Sequence, residues 1–208
     1  MNTLADSRLP ELISTSRAEL RTTLRARRRA LSKRQRREWN RRIVRHLAAL
    51  PAWRAARTIA LYQAADGEVD PGALLLLAAR QGRTVLLPRL RRHPAFRMEF
   101  APHPPGGPLG RNRFGIAEPL GRVRYPASRI DLVLMPLVGF DDRGNRLGMG
   151  SGYYDRRFAF ALRRPGLPPR LVGLAYGFQA VPALEARPWD VPLRAIVTER
   201  GWIRPSLR

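Results

Sequence analysis

The residues best suited to chemistry run from Arg146 to Asp155, Arg-Leu-Gly-Met-Gly-Ser-Gly-Tyr-Tyr-Asp. Gly148, Gly150 and Gly152 alternate along this stretch, with Arg146 before them and Tyr153, Tyr154 and Asp155 after. Glycines at that spacing let the backbone approach a ligand and turn successive N–H groups into one concavity, which suits an anion. The guanidinium can pair with phosphate oxygens, and the carboxylate can hold a metal cation or cap a helix. A tight turn that uses glycine for positive φ is the structural alternative. No Gly-Lys-Ser/Thr follows, so the stretch is not a P-loop. Its G-x-G-x-G spacing, with no strand leading straight in, is not a dinucleotide fingerprint. Ser151 does not stand in G-x-S-x-G, which excludes a hydrolase nucleophile elbow. His46, His93 and His103 fall in surface-like contexts without metal spacing. With no cysteine in the chain, disulfides and thiolate metal sites are excluded.

The elements that must position this loop are legible from periodicity. Residues 17–31 place Ala18, Leu20, Leu24 and Leu31 among arginines and read as helix. Ser32 caps a second helix, 33–50, with Trp39, Ile43, Val44 and Leu47 on its apolar side, ended by Pro51. Residues 58–62 form a short buried strand, followed by a loop, 63–70, that carries Asp66, Glu68 and Asp70. A helix begins at Pro71 and ends at Gly82, and residues 84–87 form the next strand. This strand–helix–strand unit implies a parallel, right-handed crossover. Residues 98–101 are a possible strand, 102–110 a Pro- and Gly-rich loop, and 130–135 a central strand whose lack of alternation fits burial on both faces. Asp142-Arg143-Gly144-Asn145 reads as a hairpin turn. A helix over 152–163 would place the glycine loop at its N-terminus, where N–H groups and dipole favour phosphate. Strands at 171–176 and 195–198 flank a Pro-rich loop. Five or six strands alternating with helices give an α/β fold with a mostly parallel sheet.

Composition sets the outer limits. The 208 residues suit one domain: a flexible tail over 1–16 and a single folded unit over 17–208. A hydrophobic fraction of 44% with four Trp fits a globular chain. No apolar run reaches the ~18 residues of a membrane span. The first residues do not have the pattern of a secretory signal, and together with the lack of cysteine this points to the cytoplasm. Of 39 basic residues only Lys33 is lysine, and the formal charge is +23. Such a charge attracts polyanions and anionic substrates, an attraction that salt weakens. The Arg-dense helices at 17–50 could form a nucleic-acid face, but no interleaved aromatics offer base stacking, and a solvated face with a few phosphate contacts is the simpler reading.

The constellation as a whole resembles the 5-formyltetrahydrofolate cyclo-ligases, also called methenyltetrahydrofolate synthetases. The likeness covers about residues 17–200 and rests on separated pieces. They are Arg17-x-x-Leu20-Arg21, Tyr62 with Glu68-Val69-Asp70, Leu87-Pro88-Arg89, Phe114-Gly115-Ile116-x-Glu118-Pro119, Asp131 to Pro136 with Phe140-Asp141, Gly144 to Asp155, and Asp190-Val191-Pro192. The glycine–tyrosine block is the most diagnostic. The resemblance implies a three-layer α/β/α sandwich with a mostly parallel sheet, preceded by two basic N-terminal helices. It implies closure of 5-formyltetrahydrofolate to 5,10-methenyltetrahydrofolate with release of ADP and phosphate, using Mg²⁺ and ATP. ATP phosphorylates the formyl oxygen, N10 attacks the activated carbon, and phosphate leaves. Carried over by position, Arg17, Arg21, Arg146, Leu147, Gly148, Met149, Gly150, Ser151, Gly152, Tyr153 and Tyr154 would bind ATP. Gln63, Glu68 and Tyr153 would bind the folate, Asp155 and Asp190 would hold Mg²⁺, and Arg146, Tyr153 and Asp155 would be catalytic. The chain would act as a monomer, without a membrane or a specific nucleic acid, on a substrate whose polyglutamate tail would suit the basic surface. The rival is an inactive relative that binds RNA through its Arg-rich helices.

Overall fold

The computed structural model describes residues 16–91, 97–121, 123–163 and 166–206. Seven strands form the main sheet: β1 (Thr58–Ala60), β2 (Thr84–Leu90), β3 (Met98–Pro102), β6 (Leu132–Pro136), β9 (Arg170–Leu174), β10 (Ala195–Thr198) and β11 (Gly201–Ile203). Their order is β11-β10-β9-β6-β1-β2-β3. The inner five are parallel, and β3 and β11 close the two edges antiparallel. Two small hairpins project from this frame: β4 (Leu109–Arg111) with β5 (Ala117–Pro119), and β7 (Gly139–Phe140) with β8 (Arg146–Leu147).

The central strands look uniformly apolar in sequence because both their faces are covered. Ile59, Leu132, Leu134, Val172, Leu174 and Val197 turn to one side, against α2 (Lys33–Ala49), α3 (Pro51–Ala55) and α4 (Gly72–Arg80). Ala60, Val133, Met135, Leu171 and Ile196 turn to the other, against Phe158 of α5 (Tyr153–Phe158) and the segment with Val191 and Leu193. The result is the expected three-layer α/β sandwich. Ile43 and Leu47 make α2 part of the first layer instead of an appendage.

The first helix, α1 (Arg17–Ala30), is different: Leu20 and Leu24 pack on Val138, Leu147, Val181 and Leu184, the apolar base of the β7–β8 hairpin. Its start is fixed by a reciprocal capping box between Ser16 and Glu19. Ser16 therefore belongs to the helix start and not to the tail expected over 1–16, the rest of which lies outside the described residues. Ser32 caps α2 in the same way with Gln35.

Some boundaries differ from the sequence reading. Pro51 ends α2 but also opens α3, where its fixed φ suits a first helical position. The helix expected over 152–163 is α5, followed by a 3-10 stretch, Ala159–Arg163. Of the histidines expected in surface contexts, His103 is not a surface group and His46 is half-buried. His103 is buried, which lowers its pKa, and the His46 ring is 2.9 Å from the Thr198 carbonyl oxygen. His93 lies outside the described residues. Among the described residues no helix is long and apolar enough to cross a membrane.

Candidate functional site

In sequence order the five parallel strands lie as 2-1-3-4-5, so the chain changes direction between β1 and β6. In open α/β sheets the crevice at the carboxyl ends of the strands flanking such a switch is where ligands bind. Here the loop 63–70 leaves β1 and the β7–β8 hairpin leaves β6. These two connections carry Glu68 and the glycine loop, so the topology brings together segments more than seventy residues apart. Tyr154 reports their proximity. Its phenol pKa is raised by burial first and by the Glu68 charge second, with Arg146 opposing. Glu68 and Arg146 therefore both lie within electrostatic range of Tyr154, whose hydroxyl stays neutral.

The loop 63–70 is held by α1. Arg28, 1% exposed, donates to the Asp66 carboxylate at 2.9 Å, the Asp66 carbonyl at 2.9 Å and the Leu137 carbonyl at 3.1 Å. Its Nη1 is also 3.9 Å from Glu68 Oε1. Arg25 adds a 2.7 Å bond to Asp66, and Arg29 approaches it at 3.4 Å. Asp66 needs this support because it holds φ at 51°, a left-handed conformation that Asp tolerates better than most side chains. Gly67 follows at φ 77°, and a Cβ there would stand 3.1 Å from the Arg28 carbonyl oxygen. Glu68 accepts the Ala65 N–H at 3.1 Å and faces inward, and its pKa is raised mainly by burial, opposed by the Ala65 N–H and Arg28. Gln63 is half-buried on the same loop.

The raised Glu68 pKa has a stability consequence. The folded state disfavours the ionised carboxylate, so a penalty is fully present above the folded pKa and is gone below the ordinary value of 4.5. Glu68→Gln should therefore stabilise the protein at neutral pH, and the gain should vanish as pH falls below about 4. Denaturant melts of both proteins between pH 4 and 8 would show it, and an equal difference at every pH would contradict it.

The glycine loop is anchored at its start by Asp141. This buried carboxylate accepts the N–H groups of Arg143 (3.0 Å), Asn145 (2.9 Å) and Leu184 (3.0 Å) and the Asn145 side chain (2.9 Å). Gly144 completes the turn at φ 82°, close enough that a Cβ would be 2.7 Å from the Leu193 carbonyl oxygen. The hairpin so fixed delivers Arg146, whose guanidinium donates to the Val191 carbonyl and to Asp155 Oδ1. Leu147 is buried under α1, while Gly148 to Gly152 pass over the surface with Met149 exposed.

Arg21 reaches this loop from α1, donating to the Gly148 carbonyl at 2.8 Å, and Arg17 donates to the Glu185 carbonyl at 2.7 Å. The Arg21 pKa is lowered by burial and then by the charges of Arg17 and Arg187. Among the described residues none of these three guanidiniums has a carboxylate partner, and Arg17 Nε is buried without a hydrogen bond. Three crowded cations beside backbone that can turn its N–H groups outward are relieved by an anion.

Asp155 and Asp190, the expected metal ligands, are each partly committed. Asp155 Oδ1 accepts from Arg146 and from the Val191 N–H at 3.1 Å, and Asp190 accepts the Arg187 N–H at 3.1 Å within its own turn. Among the described residues no group of three or more His, Asp or Glu side chains forms a metal cage. A Mg²⁺ held through one or two carboxylates and substrate phosphates needs no such cage. Tyr153 points toward the β4–β5 hairpin, where Arg113 donates to its hydroxyl and the Phe114 ring meets it edge-on at 6.5 Å.

Sequence reasoning named Glu68 and the glycine loop but missed Arg28, Asp66, Asp141 and Arg187. Asp66-Gly67 did carry a signal, a pair suited to left-handed backbone. Arg28 carried none, being one arginine among many.

Comparison with known proteins fits this geometry. The sequence profile of the 5-formyltetrahydrofolate cyclo-ligase family matches residues 13–199. A 5-formyltetrahydrofolate cyclo-ligase of Haemophilus influenzae is 37% identical over 179 residues, covering 85% of this chain and 94% of its own. That of Escherichia coli K12 is 38% identical over 166 residues, covering 79% and 90%. The solved Aquifex aeolicus 5,10-methenyltetrahydrofolate synthetase superposes with a TM-score of 0.77 at 32% identity, covering 91% of this chain and 93% of that one. The Mycoplasma pneumoniae synthetase gives 0.67 at 26% identity, covering 89% and 99%.

Proposed function

The chain belongs to the 5-formyltetrahydrofolate cyclo-ligase family, and from that premise we propose how its residues close the folate ring at the expense of ATP. The protein is a ligase that converts 5-formyltetrahydrofolate to 5,10-methenyltetrahydrofolate. The reaction needs no protein nucleophile. The formyl oxygen attacks the γ-phosphorus and ADP departs. N10 then adds to the activated formyl carbon and gives up its proton to solvent, the C–O bond breaks, and inorganic phosphate leaves with the former formyl oxygen. What the protein must supply is alignment and charge neutralisation, as is usual in phosphoryl transfer.

The observation that carries this assignment is that the Glu68 loop leaves β1 and the hairpin that delivers Arg146 leaves β6, on the two sides of the sheet's switch point. On the β6 side, Arg17, Arg21 and Arg146 take the triphosphate, with the backbone from Leu147 to Tyr154 wrapped around it. On the β1 side, Gln63 and Glu68 take the pterin, whose amino and amide edge is rich in donors that match a carboxylate. Tyr153 lies against the pterin, and the neutral Tyr154 hydroxyl orients the formyl group. Asp155, with Asp190 near its Val191 contact, would hold Mg²⁺, which neutralises phosphate charge when bound. Arg146 holds the Asp155 carboxylate in place. We assign the protein to the cytoplasm.

The test is formation of the methenyl product, followed by its near-ultraviolet absorbance, from 5-formyltetrahydrofolate and Mg-ATP. No ATP-dependent signal from folded protein would refute the assignment. Arg21→Gln should raise the KM for ATP by about tenfold, as expected for losing one charge-assisted contact, and leave the KM for folate within about twofold. Equal changes in both would place Arg21 outside the nucleotide half.

A further inference from the structure

A second basic hollow lies at the carboxyl end of β2. It encloses ≈ 360 Å³ and is lined by Arg89, Leu90, Arg91, Glu99 and Arg124. Glu99 stands at its centre, 3.4 Å from Arg89, 3.1 Å from Arg91 and 3.4 Å from Arg124. Arg157 of α5 is close enough for the Glu99 charge to act on it, and its Nε is buried with no hydrogen-bond partner. Four guanidiniums thus surround one carboxylate among the described residues. One carboxylate cannot neutralise or saturate them, because each guanidinium has five donors in a fixed fork. The excess matches an anion with paired oxygens, such as a carboxylate.

The position of the hollow ties it to the ring-closing site. Arg157 is two residues beyond Asp155 on the same helix. Arg89 also donates to the Gly121 carbonyl, just past β5, and the Leu90 N–H is held by Glu118 of β5 at 2.9 Å. The tip of that same β4–β5 hairpin reaches Tyr153 through Arg113 and Phe114. From β1, where the Glu68 loop begins, to β3, which carries Glu99, is two strand spacings, or about 10 Å. A ligand with its pterin at Glu68 and its p-aminobenzoyl group passing the hairpin would carry its far end to these arginines.

We propose that the hollow around Glu99 binds the carboxylates of the folate's glutamate tail, with Arg91 and Arg124 as the contacting groups and Arg89 and Arg157 setting the field. This rests on the folate reading above and adds a tail subsite to it. Glu99 keeps the arginines preordered and is displaced from part of their donor set when the tail arrives. Arg91 and Arg124 are suited to a test because their side chains are 36% and 59% exposed, so changing them leaves the core intact.

The experiment compares 5-formyltetrahydrofolate with 5-formyltetrahydropteroate, which lacks the glutamate, in the wild type and in Arg91→Gln/Arg124→Gln. Wild type should show a kcat/KM about tenfold or more higher with the glutamate present, as charge-assisted contacts imply. In the double variant that ratio should fall below about twofold through loss of activity on the folate, with the ATP KM within about twofold of wild type. A ratio near one in the wild type, or a ratio kept in the variant, would overturn the proposal. A rise confined to the ATP KM would assign the hollow to the nucleotide and overturn it as well. Absence of ATP-dependent product from both substrates would instead refute the cyclo-ligase reading itself.

Discussion

Arg146→Gln should lower kcat by about 100- to 1,000-fold, the range seen when one preorganised donor to developing charge is removed. Arg146 is 7% exposed and enters the site at the start of the glycine loop, with its donors spread between the Val191 carbonyl and Asp155. In the proposed site it is the buried cation of the phosphate half, in a place where poor solvation makes each charge contact stronger than in water. Asp155, about a fifth exposed at 20%, keeps the Val191 N–H and gains water. The fold should therefore survive, and steady-state kinetics should show the loss mainly in kcat. A kcat within tenfold of wild type would remove Arg146 from the catalytic set.

Arg28→Met should cause the largest loss of stability among single changes near the site, about 3 kcal/mol, because it removes three hydrogen bonds of a buried guanidinium and leaves the Asp66 carbonyl without its donor, although Arg25 and Arg29 still hold the Asp66 carboxylate. For a protein of this size that is a fall in melting temperature of about 6–12 °C. Arg28 joins Asp66 to the Leu137 carbonyl, so it ties the loop after β1 to the end of β6. Loss of that tie should also raise the KM for folate more than the KM for ATP, since Glu68 rides on the loop that is released. The companion variant Arg28→Met/Asp66→Asn should lose less stability than the sum of the two single changes, because both single changes break the same 2.9 Å pair. Full additivity of the two changes would show that the Arg28–Asp66 pair is not coupled.

Much of the frame was legible because strongly patterned segments leave few choices. The apolar runs in β6 and β9 read as strands covered on both faces, and Ser32 marked the start of α2. The β4–β5 hairpin was not legible. Each strand has three residues, its side chains are mostly exposed or half-exposed, and glycine and proline dominate its surroundings, so no period-two pattern could form. Edge strand β11 was hidden for the same reason. The site followed the same division. The glycine loop and Glu68 stood out by composition, whereas the Arg28–Asp66 clamp depends on contacts between positions 38 apart and has no local signature. Asp141 looked like an ordinary turn residue, and only its burial with four donors shows that it sets the hairpin.

The central claim is that the formyl oxygen of the substrate is phosphorylated where the glycine loop meets the Glu68 loop. Turnover of 5-formyltetrahydrofolate carrying ¹⁸O in the formyl group, followed by mass analysis of the released phosphate, tests it most directly. The label should appear in inorganic phosphate, one atom for each methenyl product formed. Label released into water, with unlabelled phosphate, would contradict the account.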